Sequence, residues 1–382
     1  MCLTSLAAFA RRPVVLLTSI ERARVLFSRI AVGALALASV VSLAACAVNE
    51  RDRVILPGSL VGTLDGSGSS AQSAAQEAWI AMVQNANGGL TVNYEPSGSG
   101  AGREAFLSGG VDYAGSDSPL SPSELEGAFG GCVDGTTGID LPLYISPLAI
   151  IFNVEGVDRL RLDAATTARI FRGDITRWNH PSIAALNENT RLPDATITAV
   201  HRSDASGTTK NFTDYLAQAA SDEWGVDAAD NWPFGGESAQ GNSGVVNAVT
   251  NGINTIGYAD ASRAGGLGIA SLLVGDEFVD YTPEAAARVV ELSPLEDGRA
   301  ANDLAIAIDR TIDEPGTYPL VLVSYVIACE QYRDPDTAEL VRGFLEFVAS
   351  PEGQAVSAEF AGSAPLSPGL AERVTAAIGS IR

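Results

Sequence analysis

The chain has 382 residues, a formal net charge of −22 and one lysine, Lys210, among its 24 basic side chains. So acidic a protein has no overall field with which to hold nucleic acid or an anionic lipid surface, and two histidines leave little material for a zinc site. The length accommodates two domains with cores of their own.

Arg11, Arg12, Arg22, Arg24 and Arg29 precede an apolar run over 31–45 that closes on Leu43-Ala44-Ala45-Cys46. That is the layout of an export signal, and small residues before a cysteine match a lipoprotein cleavage box. The run is shorter than the roughly 20 residues a membrane helix needs. The sequence predicts a signal peptide over 1–45, acylation of Cys46 and a tether over 46–57. A signal anchor that is never cut is the alternative. Several acyl chains would hold the protein stably on the outer face of the cytoplasmic membrane, in the cell envelope. Cys2 leaves with the signal, so Cys132 and Cys329 remain; in an oxidising compartment they point to one disulfide, with two buried thiols as the other reading.

Beyond the tether, Leu60 to Leu64 reads as a strand that enters Gly66-Ser67-Gly68-Ser69-Ser70, and a helix follows with Trp79, Ile80 and Val83 on one face. The order repeats. Leu90 to Tyr94 is an alternating strand, Ser97 to Gly102 a turn, and Ala105, Phe106 and Leu107 a short helix. In the third instance Ala195 to Val200 is the strand, Ser203 to Thr208 the turn, and Phe212, Tyr215 and Leu216 the apolar face of the helix. Strand, turn and helix in succession predict an α/β architecture. Two apolar runs, Leu141 to Asn153 and Tyr318 to Ala328, read as buried strands that cross between two lobes. The first lobe then holds 58–143 plus 320–382 and the second 144–319. Leu162-Asp163 opens a helix that Gly173 closes, and Ser350-Pro351 opens another.

Enzymatic signatures fail on spacing. Lys210 follows Thr209 rather than a glycine, so there is no phosphate-binding Walker loop, and Gly98, Gly100 and Gly102 do not follow the dinucleotide pattern. No G-x-S-x-G elbow is present. His201, Asp204 and Ser206 have the residue types of a hydrolytic triad, but they lie on one turn and seldom converge as nucleophile, base and orienter from there. What the turns do offer is anion binding: unpaired N–H groups and a hydroxyl at the positive end of a helix, with glycine allowing close approach. Each turn alone also reads as an ordinary helix cap.

Arg202 can grip a tetrahedral oxyanion through two oxygens while Asp204 holds its guanidinium, although the pair also reads as a surface ion pair. Lys210 falls within the helix and reads as solvated. Asp117, in Val111-Asp112-Tyr113-Ala114-Gly115-Ser116-Asp117-Ser118-Pro119-Leu120, is a carboxylate where an anion is expected. Either it caps a turn before Pro119, or it accepts the proton of a ligand oxygen. Hydrogen phosphate has that proton and sulfate does not.

These motifs, together with Ile170 to Asn179, Ile256-Gly257-Tyr258 and Ser350 to Gln354, resemble in order and spacing the bacterial PstS-type phosphate-binding protein, receptor of the high-affinity phosphate ABC transporter. The resemblance covers nearly the whole mature chain. It implies a type II periplasmic-binding-protein-like fold, two α/β lobes joined by two crossing strands with ligand in the cleft. It implies phosphate ligands at Ser70, the Ala71 N–H, Ser99, Asp117, Arg202, Ser206, Gly207 and Thr208, with Asp204 steadying Arg202. It implies transport without catalysis: no metal, no cofactor, inorganic phosphate as ligand and membrane permease subunits as partners, in a monomer. The sequence departs from the family at Ser70, where threonine is frequent, and at Ala71-Gln72, where an aromatic residue and proline are common. The alternatives are a receptor for another tetrahedral oxyanion and a phosphate-ester hydrolase.

Overall fold

A computed structural model describes residues 60–382; the expected export signal over 1–45, the expected acylation site Cys46 and the expected tether over 46–57 lie outside the described residues. Strand β1 (Val61–Gly68) feeds helix α1 (Ser73–Ala86), β2 (Gly89–Glu95) feeds α2 (Ser99–Leu107), and β3 (Tyr113–Ser116) is followed by the short α3 (Pro122–Leu125). β1 lies between β2 and β3 and is parallel to both, as helical crossovers require. On α1 the helical spacing buries Trp79 and Val83 and leaves Ile80 partly covered. The turn expected over 97–102 is shorter, because α2 already starts at Ser99. Its glycines serve packing: a Cβ on Gly102 would lie 2.4 Å from Gly68 Cα, and one on Gly100 2.6 Å from Ala205 Cβ.

The apolar run after the first lobe is one strand, β4 (Gly138–Asn153), buried at every position but the last. At 3.3 Å per residue it spans about 50 Å, enough to serve both lobes. Residues 138–147 pair antiparallel with β11 (Val321–Cys329), and 148–153 pair with β8 (Thr255–Asp260). The first sheet runs β2-β1-β3-β11-β4 and continues through β4 into β8, β6 (Thr198–Arg202) and β7 (Glu237–Ala239). β11 returns beside β4, and the Leu148 N–H still reaches Leu320 O at 2.9 Å where the lobes meet. The pairing slips between Ser324 and Tyr325, opposite Pro142, which has no N–H to give to a ladder.

The second lobe is built from β5 (Leu160–Leu162), α4 (Ala164–Arg172), α5 (Pro181–Leu186), β6, α6 (Gly207–Ala219), α7 (Ser221–Trp224), β7, α8 (Gly241–Asn251), β8, β9 (Gly268–Val274), β10 (Glu277–Val279) and α9 (Pro283–Leu292). α4 begins on the Asp163 cap and ends on left-handed Gly173. β6 starts later than the apolar run suggests: the Ile197 N–H bonds Thr176 O at 2.9 Å, and Ala195 O accepts from Trp178 N–H at 3.0 Å, so the first residues join the preceding loop. Aromatic rings from Phe171, Phe212, Trp224, Trp232 and Tyr258 pack this lobe's centre.

The chain then returns to the first lobe as β11, α10 (Pro335–Ala349), α11 (Pro351–Ala361) and α12 (Pro368–Gly379). Trp79 Nε1 donates to Gly353 O at 2.8 Å and ties α1 to α11. Cys132 and Cys329 form a disulfide, with Cα atoms 5.4 Å apart. One stretch of the middle segment leaves its neighbours: Leu304 N–H bonds Asp140 O at 2.9 Å, and Asn302 Nδ2 bonds Glu330 Oε1 at 2.7 Å, both on the first lobe's strands and their continuation.

Candidate functional site

Four strand-to-helix junctions meet in the cleft, two from each lobe. From the first lobe come the Ser69-Ser70 bend before α1 and the start of α2 at Ser99; from the second come the starts of α6 and α8. The helix starts of α1, α2 and α8 carry no side-chain cap, and in α2 and α8 the early N–H groups go to other oxygens: Gly100 N–H to Ala205 O at 3.1 Å, Gly241 N–H to Asp204 Oδ1 at 3.1 Å and Asn242 N–H to Ser70 Oγ at 3.0 Å. Close approach between lobes relies on glycine. A Cβ on Gly207 would lie 2.7 Å from Asp117 Cβ, and one on Gly98, which has φ 105°, would lie 2.5 Å from Asp204 Oδ2.

Asp117 stands at the centre, 3% exposed. Its Oδ1 accepts from the Ser69 hydroxyl and from Ser324 Oγ at 2.6 Å, and its Oδ2 accepts from Thr208 Oγ1 at 2.9 Å. Its N–H donates to Ser99 Oγ at 3.1 Å, and its carbonyl accepts from Asn211 Nδ2 at 2.7 Å. Burial pushes the carboxyl above the ordinary aspartate range, while the three hydroxyl donors and the Arg202 charge oppose that rise. Arg202, 2% exposed, gives Nε and Nη2 to the two oxygens of Asp204, the first at 2.8 Å, and Nη1 to Thr208 Oγ1 at 3.2 Å. Burial also lifts Asp204, but the fork bond from Arg202 and the Gly241 N–H outweigh it and hold the carboxyl below its usual range. Asp204 therefore fixes the guanidinium from behind.

The remaining residues of the first and third turns lie in the same cluster. Ser70 Oγ accepts from the backbone N–H of Asn242 at 3.0 Å and from Asn242 Nδ2 at 3.1 Å, a contact across the cleft. The Ala71 N–H donates to Ser69 Oγ at 3.0 Å. Ser206 Oγ caps α6 by accepting from Thr209 N–H at 3.1 Å, which leaves its own proton to donate. Lys210 is not the freely solvated side chain its position suggested: Nζ donates to Ala228 O at 2.8 Å and lines the cavity behind Asp117. His201 also turns away, its Nδ1 against Arg202 O at 2.9 Å and its ring stacked on Trp232 at 5.1 Å. With Asp204 tied to Arg202 and Ser206 to a helix cap, the triad residue types are each committed elsewhere.

The two-lobed α/β chain that carries this cluster has relatives among known proteins. A model of the PBP superfamily domain matches residues 57–352. The chain is 37% identical over 327 residues to phosphate-binding protein PstS2 of Mycobacterium bovis (strain BCG / Pasteur 1173P2), covering 83% of this chain and 87% of that one. The chain belongs to the PstS-type phosphate-binding proteins. Phosphate-binding protein PstS3 of the same organism is 37% identical over 291 residues, 74% of this chain and 78% of its own. A high affinity periplasmic phosphate-binding protein (PfluDING), solved bound with phosphate, shares the fold at a TM-score of 0.65 and 22% identity, over 82% of this chain and 93% of that one.

Against that PstS-type frame, three residues of the cluster escaped sequence reasoning. Asn242 opens a fourth strand, turn and helix, with Gly241 at φ 69°, and the same grammar that marked the other turns was available there. Its Oδ1 accepts from Asp260 N–H at 2.8 Å, so its Nδ2 must face Ser70 and Thr208, the latter at 3.1 Å. Ser69 was visible only as part of a Gly/Ser turn. Ser324 had no signal, since it sits in an apolar, fully buried strand and reaches Asp117 through the register slip.

Proposed function

We propose that this chain is an extracytoplasmic receptor that captures inorganic phosphate between its lobes and delivers it to the membrane permease of an ABC-type importer. The observation that carries this reading is Asp117: a buried carboxylate surrounded by hydroxyl donors, facing Arg202 and Thr208. An ionised carboxylate can only accept. A dianion with one proton satisfies it, whereas a fully deprotonated oxyanion would set acceptor against acceptor. Arg202, Ser206, the Gly207 N–H and Thr208 hold the anion from the second lobe; Ser70, the Ala71 N–H and Ser99 hold it from the first. No bond is made or broken. In this reading the protein needs neither metal nor cofactor.

In this reading the lobes divide as 58–143 plus 320–382 and 144–319, the chain acts as a monomer, and Cys46 carries the lipid that keeps it at the outer face of the cytoplasmic membrane. No described helix is long and apolar enough to cross a membrane. The formal charge of −22 repels anions at long range, so affinity rests on local hydrogen bonds.

Calorimetric titration with phosphate and with sulfate tests the proposal. Phosphate binding at neutral pH with sulfate competing only at far higher concentration supports it. Sulfate displacing phosphate at similar concentration points to a receptor for another oxyanion, and turnover of a chromogenic phosphate ester would point to a hydrolase. A steep loss of phosphate affinity with added salt would also contradict the local-bond account.

A further inference from the structure

Gln72, fully buried at the residue before α1, has a defined task in this chain. Its Nε2 donates to Ser324 Oγ at 2.7 Å and to Tyr325 O at 2.8 Å, and its Oε1 accepts from Gln76 Nε2 at 2.9 Å. A carbonyl oxygen can only accept, so the amide nitrogen is the end that faces β11. Ser324 Oγ thus receives an N–H from Gln72, and its single proton is left for Asp117 Oδ1. The same accounting applies to its neighbours. Ser69 Oγ receives the Ala71 N–H and gives its proton to Oδ1; Thr208 Oγ1 receives Arg202 Nη1 and Asn242 Nδ2 and gives its proton to Oδ2. All three hydroxyls are polarised toward the carboxylate by N–H donors behind them.

The two carboxylate oxygens are not equivalent. Oδ1 is held within the first lobe by Ser69 and Ser324, while Oδ2 faces the second lobe and so is the oxygen a ligand in the cleft would meet. We propose that Gln72 and Ser324 are positioning residues: a hydrogen-bond relay from α1 through the hinge strand that keeps Asp117 an acceptor and reserves Oδ2 for a protonated oxyanion. The proposal rests on the phosphate reading given above. Losing a donor from the relay favours the protonated carboxyl, and a protonated Oδ2 can donate to an anion that has no proton. Selectivity against sulfate then fails at a higher pH than in the intact protein.

Other groups around Asp117 also act on it. Arg202 favours its charged form, Asp204 partly offsets Arg202, and the Tyr94 hydroxyl, spent on Ser69 O at 2.9 Å, stays neutral because burial raises it well above its usual range. The cavity behind Asp117 adds Lys210 and Arg310 against Asp214 and Glu296, with Tyr325 at its wall. Neither Gln72 nor Ser324 makes a side-chain hydrogen bond to any of these side chains.

The test is the ratio of phosphate to sulfate affinity, measured by competition calorimetry with the two inorganic anions from pH 4.5 to 8, in the full chain and in Ser324→Ala and Gln72→Leu. A hydrogen bond to a charged group is worth at least the equivalent of one pH unit, so the pH at which sulfate begins to compete is expected to rise by about one unit in Ser324→Ala and by less in Gln72→Leu. Ser324→Thr keeps the hydroxyl and is expected to restore the profile. Profiles that superimpose on that of the unaltered protein overturn the relay, as does an equal loss of both anions at every pH. If the unaltered protein does not bind phosphate at all, the functional reading falls and the relay with it. If Ser324→Ala does not fold, Gln72→Leu decides alone.

Discussion

A single methyl group at Gly207 should separate ligand capture from folding. Gly207 is the first residue of α6, and its added Cβ would lie 2.7 Å from Asp117 Cβ and 2.8 Å from the Asp117 carbonyl carbon and the Ser118 nitrogen. Those neighbours are backbone or backbone-adjacent atoms of the opposite lobe, so no flexible side-chain end can yield. Relief to ordinary contact requires the lobes to part by about 0.7 Å, the difference between 2.7 Å and 3.4 Å. That displacement carries the Thr208 to Asp117 bond, now 2.9 Å, to the edge of hydrogen-bond range and lengthens the Asn211 bond to Asp117 O, now 2.7 Å. Losing the first of these cross-cleft bonds, which goes to a charged group, and weakening the second costs about 2–4 kcal/mol, or roughly 30- to 1000-fold in phosphate affinity. The α6 N–H at residue 207 survives, and alanine is a better helix residue than glycine, so thermal stability without phosphate should hold or rise slightly. Calorimetry at neutral pH with a parallel melting curve is the assay. A Gly207→Ala protein with affinity within threefold of the parent would refute the claim that this glycine is required for closure.

Asp230→Asn should loosen the closed state, because Asp230 of the second lobe takes Arg103 Nη2 at 2.6 Å and Ser118 Oγ at 2.9 Å from the first; stopped-flow release of phosphate is expected to speed up by about tenfold, and an unchanged rate would show the bridge to be neutral. Asp260→Asn should change the pH dependence of stability. Burial pushes the Asp260 carboxyl up to about 6, and its Oδ2 is buried without a partner. The folded chain thus holds a proton that the unfolded chain releases near pH 4, so the group favours folding below that pH and loses its contribution as pH rises to 6. Relative to the parent, the asparagine variant should gain roughly 2–3 kcal/mol between pH 4.5 and 7.5, and parallel melting curves would contradict this. Reducing or replacing the Cys132 to Cys329 bridge, which joins residues 197 apart in sequence, should lower stability by about 2–5 kcal/mol in denaturant titration while leaving phosphate affinity within a few fold.

The two-lobed architecture was legible because it is written in local terms. Strand, Gly/Ser turn and amphipathic helix recur in a window a few residues wide, and the long apolar runs show themselves as buried strands without any knowledge of their partners. Asp163 and Gly173 bound α4 by short-range chemistry alone, and Ser350-Pro351 did the same for α11. Arg202 and Asp204 are two residues apart, so their pairing needed no tertiary information. The limits of β6 and α2 were less legible, because they depend on what each segment meets: Ala195 to Ile197 bond a preceding loop, and Gly100 and Gly102 serve a helix that presses on other backbone.

Residue types and local order determined that this protein is an α/β receptor-like chain with anion-holding turns and a candidate carboxylate. Tertiary structure alone decided which oxygen of that carboxylate faces the cleft and what surrounds it. Ser69, Gln72, Ser324, Thr208 and Asn242 converge on Asp117 or on its donors from segments up to 207 residues away. The physical reason is that a hydrogen bond is directional over a few ångströms. A register slip in β11 and the orientation of one buried amide, neither of which leaves a periodic trace in sequence, determine where Ser324 sends its proton.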